Sequence, residues 1–376
     1  MKMAPFRPRI HILAAGLDEV LQAELDFLRV YRPLIVTDES AALASLIDEC
    51  LEGVSAASAE TAKEKLAVYR LNETAGMGDA RAISRRLFTE GRDGLVVFGG
   101  RNSIDTCKYA AREFARVRPG SRHRQADERM VPVIVVPDSP ADGAGLRAAV
   151  RMVDADGHHQ SFQDDSFLPS VLICDTRAYA ALDVTSAICA EFDVVVHCIE
   201  TLARSRLSPP AKGMAIDGLR RAWRILKRRA SGVQTFASGE TVFSAAVNAA
   251  LAEDGGLGAI HALALAIEED RRDARPHGYY HAAVFKPVMS FNAPAMIRVI
   301  PEIEEAMECS GGVPGIVGMV SDVAGRLGLP VELEALGLDP AARARIACAV
   351  SGDVANTTNP RRVRKADYKV ILCASK

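Results

Sequence analysis

The sequence predicts an α/β domain built on a mostly parallel sheet, followed by an all-α domain. Three observations predict it. Short β-branched runs alternate with longer amphipathic stretches from residue 8 to about 183. Beyond residue 184 the texture changes to alanine- and leucine-rich runs at helical spacing. The chain has 376 residues, more than one hydrophobic core usually serves. The domains are therefore expected over residues 1–183 and 184–376.

In order, "RIHIL", "RPLIVTD", "KLAVYRL", "DGLVVFGG", "VPVIVVP" and "SVLICD" read as strands, with helical patterns between most of them. Apolar runs of four to six residues bounded by Gly, Pro or Asp suit strands buried on both faces, the signature of a parallel sheet covered by helices. In the second half, "KGMAIDGLRRAWRILKRRA" and "TVFSAAVNAALAED" are helical runs, broken by "SPP", "SGE" and "DGGLG". The closing "DYKVILCAS" reads as a short strand or a final turn.

Composition excludes several classes. With 46 Lys and Arg against 48 Asp and Glu, and no basic stripe interleaved with aromatics, a nucleic-acid partner has no support. No run of about 18 apolar residues occurs, and "MKMAPFRPRI" lacks the apolar length of a signal peptide, so no membrane partner is expected and the cytoplasm is the expected compartment. Eight scattered cysteines without a CxxC pair suit reduced core thiols. A homodimer is the expected assembly.

In "GLVVFGGRNSIDTCKYAARE" a buried strand leads through Gly99 and Gly100 into Asn102, Ser103 and a helix from about Ile104, with Ser103 as a candidate N-cap. Glycines let a phosphate approach the backbone, and the free N–H groups of a helix start attract its charge; an ordinary tight turn explains the same pair. Asp38 closes the strand "PLIVTD", where an acid can hold ribose hydroxyls and repel a 2′-phosphate, favouring NAD over NADP; a cap for the next helix is the alternative.

"EFDVVVHCIE" places Asp193 and His197 four apart, on one face whether the segment is strand or helix. Ligands of one ion must each come within about 2.2 Å of it. A strand separates the two Cβ atoms by about 13 Å and a helix by about 6 Å, so a shared metal demands a helix through Val194, Val195 and Val196. A simple aspartate–histidine hydrogen bond is the other reading. His261 in "GLGAIHALALAIEE" and His277 in "RPHGYYHAAVFKP" lie in the same half. Three imidazoles and one carboxylate would suit a single Fe(II) or Zn(II).

These residues together carry a resemblance. Gly99, Gly100, Ser103, Asp105 and Lys108, then Asp193, His197 and Glu200, then His-Ala-Leu-Ala from His261 and Pro-His-Gly from Pro276, resemble in their order the iron-containing alcohol dehydrogenase family over nearly the whole chain. The resemblance implies a Rossmann-like first domain, a helical second domain, a bound dinucleotide and one divalent ion. It puts the metal ligands at Asp193, His197, His261 and His277. It puts cofactor contacts at Gly99 to Ser103, including Arg101 and Asn102, at Asp105, and at Asp138 and Ser139.

This chain also departs from the family pattern. Arg101 stands at the third loop glycine, "PDSPADGAGLR" replaces a threonine- and glycine-rich run, and His159 falls at a lysine near the nicotinamide. Leu265 and His281 replace a histidine and an asparagine, which makes His281 a candidate proton carrier or a hydrogen-bonded helix histidine. Tyr279 and Tyr280 line a pocket or pack a helix start. Arg101 and Arg147 suggest a cationic rim.

The activity implied is a metal-dependent, NAD(P)-linked interconversion of an alcohol and an aldehyde or ketone, on a small substrate that the cationic rim would suit to carrying negative charge. "PHGYYHA" and "FNAPA" are also similar to maleylacetate reductase, which offers reduction of an acidic substrate as an alternative. The altered loops motivate a second rival, a nucleotide- and metal-binding member that transfers no hydride. A metal-dependent cyclase of the dehydroquinate synthase type fits the motif order less well.

Overall fold

The computed structural model describes residues 8–38, 43–56, 67–72, 75–117, 130–141, 143, 145–233, 239–253, 256–271, 273, 275–353 and 355–373. The chain divides into two compact units, Met1–Ser139 with Gly143–Leu182, and Pro140–Asp142 with Asp183–Lys376.

The first unit runs β1 (Arg9–Leu13), α1 (Leu17–Leu28), β2 (Pro33–Thr37), α2 (Ala44–Ala56), β3 (Ala67–Arg70), α3 (Met77–Thr89), β4 (Gly94–Gly99), α4 (Arg101–Val117), β5 (Val133–Pro137), β6 (Ala149–Val153), β7 (His159–Gln163), β8 (Val171–Asp175) and α5 (Thr176–Ala180). Six strands form one sheet in the order β1-β8-β5-β4-β2-β3, every pairing parallel. The central strands β2, β4, β5 and β8 are buried along their whole length, whereas the edges β1 and β3 are half-exposed. That difference explains the unbroken apolar runs of the middle strands and the charged or polar residues, Arg9, His11 and Arg70, of the edges. Leu17, Leu21 and Leu25 of α1 and Leu46, Ile47 and Cys50 of α2 cover one face against Ile35, Val96, Ile134 and Val171.

All six sequence-predicted strands occur. The hairpin of β6 and β7, antiparallel with Val150 opposite Phe162, was not expected from the sequence. Its strand β7, "HQSFQ", is polar and mostly exposed, so it carries none of the apolar alternation that announces a strand.

Among its described residues the second unit has helices and no strand: α6 (Val184–Ala203), α7 (Pro209–Ala230), α8 (Gly239–Ala252), α9 (Ala259–Arg271), α10 (His277–Met296), α11 (Ile300–Met307), α12 (Gly312–Arg326), α13 (Pro340–Ala349), α14 (Ala355–Thr358) and α15 (Lys365–Cys373). The closing segment is thus a helix where a strand or turn was expected; Tyr368, Ile371 and Leu372, at helical spacing, are its buried face.

Helix α6 is the centre of this unit. Asp183 caps it by accepting the Ser186 N–H at 3.0 Å, and every residue from Ala187 to Ala203 is buried. Three successive valines cost at most about 0.7 kcal/mol each in helix propensity. Burying each side chain returns about 1.5–3 kcal/mol, so packing decides and Val194, Val195 and Val196 are helical. Among the described residues no helix is long and apolar enough to cross a membrane. Five of the eight cysteines are buried, and burial pushes the Cys50 and Cys189 thiols up to about 12; Cys348 and Cys373 are exposed, not core thiols.

Candidate functional site

Three helices of the second unit bring one cluster together. Helix α6 supplies Asp193, α9 supplies His261 within its first turn, and α10 supplies His277 at its first position and His281 one turn later. One potential ligand atom from each of Asp193, His261, His277 and His281 lies within 4.8 Å of the other three. Asp193 Oδ1 is 3.3 Å from His261 Nε2 and 3.1 Å from His281 Nδ1. The His281 ring centroid stands 4.2 Å from that of His261 and 4.4 Å from that of His277.

Glycines permit this convergence. A side chain at Gly278 would collide with the Cys189 carbonyl, so only glycine lets the start of α10 press against α6. A Cβ at Gly258 would lie 2.6 Å from Glu200 Oε1, and glycine there lets α9 begin against the Glu200 carboxylate. Glu200 accepts the N–H groups of Gly258 at 2.9 Å and Ile260 at 2.7 Å. Asn359 Oδ1 accepts the Ala259 N–H at 3.1 Å. The start of α9 is thereby satisfied by side chains from outside the helix.

Carboxylates also orient two of the imidazoles. His261 Nδ1 lies 2.7 Å from Glu200 Oε2, and His277 Nδ1 lies 2.7 Å from Glu268 Oε2. An ionised carboxylate holds a proton on Nδ1 and leaves Nε2 to present a lone pair, the usual support of a metal-ligating histidine. His197 Nε2, His261 Nε2 and both nitrogens of His281 are buried with no hydrogen-bond partner among the described residues. Ligands of a four-coordinate ion with bonds of about 2.1 Å stand about 3.4 Å apart, close to the spacings around Asp193 Oδ1. The donor set fits a divalent ion.

The electrostatics follow from crowding. Burial opposes charge on His261, but the carboxylates of Asp193 and Glu200 push it up to about 9. Burial, with the neighbouring His261 and His277, holds His281 well below the usual imidazole range. Burial would raise Asp193, yet His261 and His281 beside it hold it well below the usual carboxylate range. An acid kept ionised among imidazoles is the charge pattern a cation site needs.

His197 stands apart from this set. Its Nε2 lies 3.2 Å from Glu253 Oε2, and its ring centroid is 5.5 Å from that of His261. The structure thus brings together Asp193, His261 and His277 of the four ligands the resemblance implied, and adds His281. Glu253 and Glu268 had no part in the sequence reading. Glu268 lies seven residues after His261 on α9, a helical spacing that could have suggested a shared face. Tyr280 is fully buried and its hydroxyl donates to Asp273, so it packs the start of α10.

In the first unit, Asp38 and the Gly99–Gly100 turn follow β2 and β4. The chain leaves β2 toward β3 on one side and β4 toward β5 on the other, so these two strand ends flank a topological switch point. Ligand crevices of open parallel sheets form there. Asp38 Oδ2 accepts the Ser103 hydroxyl at 2.7 Å and the Gly100 N–H at 3.1 Å. A side chain at Gly99 would collide with that carboxylate, and a Cβ at Gly100 would lie 3.1 Å from Asp138 Oδ2.

Helix α4 starts at Arg101, not Ile104, so Asn102 and Ser103 lie in its first turn and Ser103 serves Asp38 instead of capping. Asp105 is buried and accepts the Arg151 N–H at 2.9 Å; burial raises its carboxyl, with Lys108 working against the shift. Lys108 in turn donates to the Arg147 carbonyl at 2.9 Å. Asp138 and Ser139 follow β5, half-buried, and the Asp138 N–H donates to the Gly99 carbonyl at 3.3 Å. His159 opens β7, exposed. A further grouping of Asp154, Asp156 and His158 closes the β6–β7 turn, where Asp154 accepts the other two residues' backbone N–H groups.

A nucleotide-type sheet joined to a helical unit carrying an aspartate–histidine cluster defines a class, and comparison with known families gives the same one. The chain belongs to the iron-containing alcohol dehydrogenase family: residues 8–176 match "Iron-containing alcohol dehydrogenase" and residues 187–375 match "Fe-containing alcohol dehydrogenase family, C-terminal". It is an oxidoreductase of this metal-dependent, alcohol–carbonyl class. Similar proteins include 4-hydroxybutyrate dehydrogenase of Cupriavidus necator, 28% identical over 374 residues covering 95% of each chain. Maleylacetate reductase of Burkholderia cepacia is 24% identical over 368 residues, 97% of this chain and 94% of that one. The crystal structure of sulfoacetaldehyde reductase from Bifidobacterium kashiwanohense in complex with NAD+ shares the fold, with a TM-score of 0.81 at 15% identity over 98% of this chain and 97% of that one.

Proposed function

We propose that this protein is an NAD-linked dehydrogenase that interconverts a short hydroxy acid and the corresponding aldehyde or keto acid, using one divalent ion held by Asp193, His261 and His277. The observation that carries the reading is the convergence of these side chains in a cluster where Asp193 and His261 are buried and His277 half-buried, with one acid among the imidazoles. The name of the Cupriavidus relative, a 4-hydroxybutyrate enzyme, and that of maleylacetate reductase both denote carboxylates, which supports an anionic substrate. Asp38, a carboxylate fixed at the end of β2, supports NAD over NADP because it would repel a 2′-phosphate.

When bound, the ion supplies Lewis acidity that stabilises negative charge developing on an alcohol oxygen as hydride passes to or from the nicotinamide. The chain's residues do the rest. Asp193 contributes one negative charge and so limits the net charge of the site. Glu200 and Glu268 keep His261 and His277 in one tautomer and one orientation. Burial of Asp193, His261 and His281 keeps bulk water from competing for the same donors. Gly99, Gly100, Asn102 and Ser103, with Arg101, Asp105, Asp138 and Ser139 around them, form the turn we assign to the dinucleotide.

The test is direct. Metal-stripped protein is reloaded with Fe(II) or Zn(II), and reduced-nicotinamide absorbance is followed with 4-hydroxybutyrate, shorter and longer ω-hydroxy acids, and neutral alcohols of matched length. Turnover is expected only with both ion and NAD, and to be faster with the acids. Stoichiometric metal binding without turnover on any of these, or on keto acids in the reverse direction, would favour a member that binds nucleotide and metal without hydride transfer. Equal turnover of neutral alcohols would remove the anionic-substrate assignment.

A further inference from the structure

We infer that the helical unit carries a second ligand site, a pocket along the C-terminal half of α7 beside the end of α11 that binds a short phosphate chain. The pocket measures about 420 Å3, within the range of small-molecule sites (about 300–1,000 Å3), and its lining includes Arg220, Trp223, Arg224, Lys227, Arg228 and Glu308. Four cations thus face one acid. Arg220, Arg224 and Arg228 are exposed, follow one another at four-residue steps on one face of α7, and make no ion pair among the described residues. The neighbouring basic residues are all paired: Arg221 with Asp217 at 2.6 Å, Lys227 with Glu308 at 3.2 Å, and Arg229 with Glu191 at 2.9 Å. What remains is an unneutralised row of three guanidinium groups along a pocket.

The preference of a helix end for cations explains only the last of the three. That preference fades within the final turn, which holds Lys227, Arg228 and Arg229. Arg224 and Arg220 lie one and two turns earlier, where like charges at this spacing repel. A ligand of opposite charge removes the repulsion. Eight residues of helix rise about 12 Å, so linked phosphates offer oxygens along the row where one small anion meets only part of it. Each guanidinium presents paired N–H donors that match phosphate oxygens. Trp223 is buried and donates through Nε1 to the Met307 carbonyl at 3.0 Å, so it offers no free face on which nucleic-acid bases could stack. None of these residues belongs to the metal cluster or to the Gly99–Gly100 turn, and the site does not depend on the function proposed above.

Equilibrium dialysis of the full chain against radiolabelled tripolyphosphate, with NAD present in excess to occupy a dinucleotide site, tests this without any assay of turnover. One equivalent is expected to bind. Arg224→Ala is expected to weaken it about 10–100-fold, the worth of a charge-assisted hydrogen bond. Arg221→Ala, which removes a paired cation outside the pocket lining, is expected to leave it unchanged. Glu308→Gln, which removes the one acid of the lining, is expected to tighten it about two- to fivefold, a gain that no misfolded variant produces. ATP carries the same phosphate chain, and competition between the two shows whether the free or the nucleotide-borne chain is preferred; either supports the site. Absence of binding at millimolar tripolyphosphate overturns the inference, as does full affinity in Arg224→Ala, equal loss in Arg221→Ala, no tightening in Glu308→Gln, or citrate binding as tightly as tripolyphosphate.

Discussion

Glu200 touches no substrate in this account, yet it holds three groups at once: the N–H of Gly258, the N–H of Ile260 and Nδ1 of His261. Removing it frees the His261 ring to rotate and releases the start of α9. Glu200→Ala is therefore predicted to weaken Zn(II) or Co(II) binding by about 10–100-fold, the usual cost of losing an outer partner of a metal-binding histidine. Chelator competition on folded, metal-free protein checks it, and unchanged affinity would mean that His261 is held by its helix alone. The sequence showed Glu200 as part of the Asp193–His197 motif without showing why. Its three contacts lie 58 to 61 residues away along the chain, and no spacing rule reaches that far.

Helices α6 and α10 illustrate what patterns can and cannot say about elements. Three valines in a row favour a strand locally, and only the requirement that Asp193 and His197 share an ion argued for a helix. The structure is helical there, for the different reason that α6 is buried on all sides. That Glu253 lies beside His197 was not legible, because Glu253 follows α8 and nothing in "LAEDGG" marks it as facing α6. Gly278 was legible only as part of Pro-His-Gly; its reason is the Cys189 carbonyl against which α10 packs. Gly278→Ala must push the two helices apart, and a loss of about 1–3 kcal/mol in unfolding free energy is predicted from the overpacking. Denaturant unfolding of the metal-free protein measures it.

At the scale of the molecule, the strand runs and helical runs were readable because burial on two faces and burial on one face leave different periods in the sequence. The β6–β7 hairpin was missed for the same reason inverted: its strand "HQSFQ" is mostly exposed and buries too little to leave a period. Membership of a metal-dependent family and the Asp193–His261–His277 cluster both support an ion in the helical unit, and the proposed chemistry depends on where it sits. Anomalous X-ray scattering from crystals of the protein loaded with one equivalent of Zn(II) or Fe(II) tests this most directly. A single strong peak is expected about 2.0–2.2 Å from an Asp193 oxygen and from one ring nitrogen each of His261 and His277. A peak away from Asp193, His261 and His277, or no peak in stoichiometrically loaded crystals, would contradict it.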